Sequence, residues 1–169
     1  MSTLEIIGRA IEVDLPNSGI FRVPAKVDTG ADSSAIWASH LAMSDDGVLS
    51  YVLFNESSKY YTGKVEKTKD YAVSLIRVSS GHRQVRYRVK ISVTIQGRKI
   101  RGSFTLSDRS AGNYPVLLGC KILNNKFLVD VSKGRIKKNN DKRPLNDEMK
   151  LSPKEFFNKY HLCNERGDI

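Results

Sequence analysis

The chain has 169 residues, 40% hydrophobic and 27% charged, which is enough apolar content for one packed domain with a small appendage. No apolar run is long enough to cross a bilayer, and Met1 to Glu5 lack the basic and apolar regions of a secretory signal. With Cys120 and Cys163 as the only two cysteines, the expectation is a cytoplasmic protein with reduced thiols. The net charge of +10 suits an acidic partner, although a plain solvated basic surface would produce it too. No interleaving of aromatic and basic residues of the RNA-binding kind is visible, which argues against nucleic acid.

In chain order, Leu4 to Leu15 reads as an opening strand pair or one long strand around Gly8. Pro16-Asn17-Ser18-Gly19 is a turn, and Ile20 to Val23 resumes a strand that delivers Lys26-Val27 to Asp28. Ser34 to Leu41 reads as a strand ending in a helical turn, closed by the Asp45-Asp46-Gly47 loop. Tyr51 to Phe54 reads as a short strand. Asn55 to Asp70 is polar and aperiodic, an exposed insertion or long hairpin. Val85, Tyr87, Val89, Ile91, Val93 and Ile95 then alternate with polar residues, a strong strand signal. Tyr71 to Val78 pairs with it across a tip at Ser79 to Arg83. After the Gln96-Gly97 turn, Ile100, Phe104 and Leu106 mark the return strand. Val116-Leu117-Leu118-Gly119 predicts a short buried strand, Cys120 to Asn125 a helical turn, and Phe127 to Val131 a last strand. Lys137 to Lys150 is a polar linker. Ser152-Pro153-Lys154-Glu155 is a helix start with a capping box, and Phe156, Phe157 and Tyr160 give that helix an apolar side.

The stretch with chemistry in it is Asp28-Thr29-Gly30-Ala31-Asp32. A carboxylate ends a strand, a hydroxyl sits beside it, and a glycine lets the backbone turn. Taken alone this is also an ordinary turn composition. Its context is more specific, because a second apolar strand ending in Gly119 lies far downstream.

The combination resembles the retropepsin-like aspartic proteases. Val27-Asp28-Thr29-Gly30-Ala31-Asp32 matches the catalytic turn, Val116 to Gly119 the apolar element beneath it, and the hairpin around Ser79 to Arg83 the flap. More closely, the chain resembles a bacterial family labelled ATP-dependent zinc proteases and found alongside ATP-grasp glutamate ligases of the RimK type. The residues that carry this are Lys26 to Ala31, Ser107-Asp108-Arg109, Tyr114-Pro115-Val116-Leu117-Leu118-Gly119 and Phe127 to Asp130. Together they cover residues 4 to 136. Cys120 departs from the family's arginine.

The resemblance implies an all-β fold: a retropepsin-like barrel with a flap hairpin, one short helix after the Leu-Leu-Gly strand and a C-terminal helix. Residues 1–136 would form the protease domain, and 137–169 a linker with that helix. It also implies an aspartic endopeptidase with Asp28, Thr29 and Gly30 as catalytic residues and with Ala31, Asp32, Gly81, Arg83 and Arg86 at the substrate. A single Asp-Thr-Gly implies a homodimer, each subunit lending one Asp28. Asp108 and Asp130 lack a following Thr/Ser-Gly. Basic residues near the flap suit an acidic, glutamate-rich peptide or protein, and a functional link to an ATP-grasp ligase follows from the resemblance. The residues do not support the zinc or ATP labels. His40, His82 and His161 are scattered, no His-Glu-x-x-His or phosphate loop occurs, and the two cysteines lack zinc-site spacing; no cofactor or metal is expected. The rival reading is a non-catalytic binding or regulatory module of the same fold, for an acidic protein, RNA or a partner ligase.

Overall fold

The structure is a computed structural model and describes residues 4–77, 83–134 and 151–160. It is mostly strand, and the all-β retropepsin-like expectation is met. The chain divides into two units, Met1–Lys137 and Lys138–Ile169.

In the first unit, β1 (Glu5–Ile7) and β2 (Ala10–Leu15) are separate strands in different sheets. Tight turn residues then reverse the chain into β3 (Ile20–Val27), which pairs antiparallel with β2. β4 runs Ser34–Met43, β5 Leu49–Leu53 and β6 Val65–Thr68. β7 runs Tyr71–Arg77, β8 Arg83–Ile95 and β9 Arg98–Ser107. β10 (Val116–Leu118), α1 (Cys120–Leu123) and β11 (Phe127–Val129) complete the unit.

The pairing closes on itself. β10 lies parallel to β3 on one side and antiparallel to β4 on the other. β4 pairs with β9, β9 with β8, β8 with β2, and β2 with β3. Closure leaves those strands no free edge along the ring. The alternation in β8 shows why the ring has a dry centre. Val89, Ile91, Val93 and Ile95 are all under 9% exposed, while the residues between them point outward. The same alternation continues outward into a different environment: Val85 is 65% exposed, because the outer half of β8 leaves the barrel and pairs only with β7. This β7–β8 hairpin is the expected flap. Its tip, 78–82, lies outside the described residues, as does 135–150, including the expected linker.

Two local expectations change, and one open alternative is decided. β4 stays extended to Met43 instead of closing in a helical turn. A register irregularity between Ser39 and Ala42 and a positive φ at His40 bend it, and pairing with β5 carries it on. The last strand stops at Val129, because the Asp130 carboxylate accepts bonds from the Ser132 amide and hydroxyl and turns the chain. The polar stretch after Phe54 is a hairpin: β6 pairs with β5, and the connection is pinned by Tyr60 packing on the buried Phe54 at 5.7 Å between ring centroids. Lys64 and Glu66 tie it to Asn17 and Ser18, at the opposite end of β3 from Asp28.

In the second unit, α2 (Pro153–Tyr160) begins as the sequence predicts. The Ser152 amide and hydroxyl donate to Glu155, and the Glu155 amide donates back to the Ser152 hydroxyl.

Phe104 is fully buried on β9 opposite Val89 and beside Ser34 in the parallel β4 pairing. Phe104→Ala is expected to lower unfolding stability by about 3–5 kcal/mol, read by urea denaturation, through a cavity at the centre of the ring.

Candidate active site

Asp28 is the first residue beyond β3, and its position is set from below. Its backbone amide donates to the Leu118 carbonyl at 2.9 Å, extending the β3–β10 ladder by one bond. The Ala31 amide donates to the Asp28 carbonyl at 3.2 Å and the Gly30 amide to Asp28 Oδ1 at 3.2 Å, which folds the turn around the carboxylate. The start of α1 then grips the rest of the loop. The Cys120 amide donates to the Ala31 carbonyl at 2.7 Å, the Lys121 amide to the Asp32 carbonyl at 3.1 Å, and the Cys120 thiol to the Thr29 carbonyl at 3.0 Å. The buried Ser34 hydroxyl accepts from the Gly119 amide at 3.1 Å, while the Ser34 carbonyl accepts from the buried Thr105 hydroxyl at 3.2 Å.

The steric demand expected at Gly30 falls on Gly119. A Cβ on Gly30 would meet only Asp28 Oδ1, at an ordinary 3.5 Å. A Cβ on Gly119 would lie 2.6 Å from the Ser33 carbonyl group and 2.7 Å from the Ala31 oxygen. Its backbone is extended, so the glycine is required by contact and not by torsion.

Above the turn lies a cavity of about 810 Å³. Asp28, Ala31 and Asp32 line it from below, Leu75, Ile76 and Arg86 from the flap hairpin, and Arg109 and Lys121 from the sides. Asp28 is half-buried, while Thr29 and Asp32 are exposed. Arg83 is exposed at the outer end of β8 and does not line the cavity; Gly81 lies outside the described residues.

Arg109, the last residue of the Ser107-Asp108-Arg109 motif, lines the cavity, a position its motif alone does not reveal. Its Nε donates to the Tyr114 carbonyl at 2.9 Å, which fixes it after β9. Burial, then the neighbouring Arg86 charge, pull its guanidinium below the ordinary range, and the Asp28 charge acts in the opposite sense. Lys121 also went unassigned: its Nζ is 3.9 Å from the Asp32 carboxylate. Among the described residues no three His, Cys, Asp or Glu side chains gather where a metal could be held. His40 is on the surface against Glu56 at 3.0 Å, while His82, His161 and Cys163 lie outside the described residues.

A closed β-barrel carrying an Asp-Thr-Gly turn over a Leu-Leu-Gly strand and under a hairpin defines the retropepsin-like class. Residues 6–140 match the RimB-like family, described as retropepsin-like aspartic endopeptidase RimB, and the chain belongs to that family. Among solved structures, it is similar to a DUF785 protein of unknown function from Legionella pneumophila. That likeness has 19% identity and a TM-score of 0.58, covers 78% of this chain and 96% of that one, and is a likeness of fold. No curated protein matches it.

Gly119→Ala is expected to destabilise the protein by about 3 kcal/mol, because backbone must move to admit the methyl group. Gly30→Ala should melt within a few degrees of wild type. Paired thermal denaturation of the two variants checks both.

Proposed function

We propose that the protein is an aspartic endopeptidase that works as a homodimer and cuts acidic peptides. The observation that carries this reading is the Asp28 turn, clamped by β10 and α1 and facing a roofed cavity. Aspartic proteolysis needs two carboxylates about one water. The ionised one takes a proton from the water, and the protonated one donates to the scissile carbonyl oxygen. Two carboxylates that close share one proton, because both cannot easily ionise. Water adds to the carbonyl carbon, and collapse of the resulting diol passes a proton to the leaving amine.

This chain supplies one such carboxylate, so a second copy must supply the other. A surface suited to that copy adjoins the turn. In the parallel β1–β11 ribbon, Ile6 faces Leu128; both are more than half exposed, and Leu4 is 42% exposed. Leu4 and Leu128 line a hollow of about 480 Å³ together with Thr29 and Cys120. Burying such a strip around a two-fold axis near Thr29 would bring the two Asp28 turns together. Thr29 would brace the paired loops. The acidic substrate class is supported by the net charge of +10 and by Arg86, Arg109 and Lys121 around the cavity. Closure of the hairpin would exclude water from the reacting bond. The site would work in the reducing cytoplasm, in keeping with a free Cys120.

Asp28→Asn should abolish cleavage in a peptide-library digest while leaving the melting temperature unchanged. Sedimentation at micromolar concentration should show a dimer, and Ile6→Asp with Leu128→Asp should make it a monomer without activity. A wild-type chain that is monomeric with and without substrate, or an Asp28→Asn variant that still cuts, defeats the reading.

A further inference from the structure

Arg86 and Arg109 line one cavity from two different elements. Arg86 is carried by β8 of the hairpin, and Arg109 by the loop after β9. Both are half-buried. Burial pulls both guanidinium groups down, and the Arg86 charge adds to that effect at Arg109. Their hydrogen-bond partners are neutral. Arg86 Nε and Nη2 donate to Gln84 Oε1 at 2.9 and 2.7 Å, and Arg109 Nε donates to the Tyr114 carbonyl at 2.9 Å. Among the described residues, neither has a carboxylate within 4.0 Å. Asp28 acts on Arg109 only from beyond that distance.

Two like charges drawn partly out of water, with no carboxylate among the described residues close enough to pair with either, are costly to hold together. An anion between them would turn the repulsion into attraction, and the unused N–H groups of each fork match a carboxylate's paired oxygens. One arginine belongs to the barrel and the other to an element with few contacts. Val73, Leu75 and Val85 on the hairpin are 58%, 60% and 65% exposed, the mark of a segment whose position is weakly fixed. A bridging anion would therefore hold the hairpin as well as the substrate.

We propose that Arg86 and Arg109 form a two-sided clamp for one side-chain carboxylate of the substrate, and that filling the clamp secures the β7–β8 hairpin over Asp28. The clamp gives the endopeptidase reading its substrate subsite and rests on that reading for its role. Its test does not need cleavage.

The test uses the full chain carrying Asp28→Asn, with capped, fluorescently labelled pentaglutamate and pentaglutamine as probes. Anisotropy should show pentaglutamate binding about tenfold or more tightly than pentaglutamine, as charge-assisted bonds allow. Arg86→Gln and Arg109→Gln should each remove most of that preference. The double variant should bind no more weakly than either single one, because one anion is shared. Hydrogen exchange across 71–77 and 83–90 should slow with pentaglutamate only when both arginines are present. Lys67→Gln, an exposed charge on β6, should change nothing. If the two losses multiply, each arginine meets a separate anion and the clamp is wrong. It is equally wrong if Arg86→Gln keeps the preference, and this variant decides the matter should Arg109→Gln loosen the loop that Tyr114 holds. If pentaglutamate binds in this way and the wild-type chain cuts no peptide, the clamp stands and the endopeptidase reading falls.

Discussion

The structure depends on one close approach, that of Gly119 beneath the 31–34 backbone. Where a side chain would normally separate two layers, the Gly119 Cα lies against main chain, and the bonds from Gly119, Cys120 and Lys121 to the loop above follow from that distance. The loop is consequently fixed by two main-chain bonds, from Cys120 and Lys121, whose direction does not depend on rotamers, and by one to the buried Ser34 hydroxyl. A carboxylate intended for proton transfer needs such a mount, because small displacements of a reacting group cost large factors in rate.

The same approach forces the topology. β10 comes close enough to β3 and β4 to bond to both, and in doing so it closes the barrel. Val116 and Leu118 are fully buried as a result, and β4 is buried on both faces from Ser34 to Ala38. The hairpin, in contrast, is held mainly by its own pairing, so the barrel provides the rigid half of the site and the hairpin the adjustable half.

Much of this was legible in the residues. Asp28 at a strand end, the apolar run into Gly119, the alternation of β8 and the Ser152 capping box are each local patterns with a local physical cause, and the structure contains each of those elements. The parts that were not legible depend on distance in sequence. The burial of Ser34 comes from partners at Gly119 and Thr105, 85 and 71 positions away, so nothing nearby distinguishes it from a surface serine. Arg109, though part of the Ser107-Asp108-Arg109 motif, and Lys121 show no role in the sequence until the loop after β9 and the start of α1 are brought beside Asp28. The extended end of β4 was obscured because the register irregularity between Ser39 and Ala42 and the positive φ of His40 break its two-residue period.

The long reach between Thr29 and Cys120, 91 positions apart, also governs the order of assembly. As the chain is synthesised, β2 and β3 can pair early, but the Asp28 turn has nothing beneath it until α1 has emerged. Loop closure of that span must be met before its contacts repay it, which makes a cooperative and comparatively slow final step. The carboxylate turn is thus among the last features to acquire its shape, and a partly made chain carries the Asp-Thr-Gly letters without the geometry to use them.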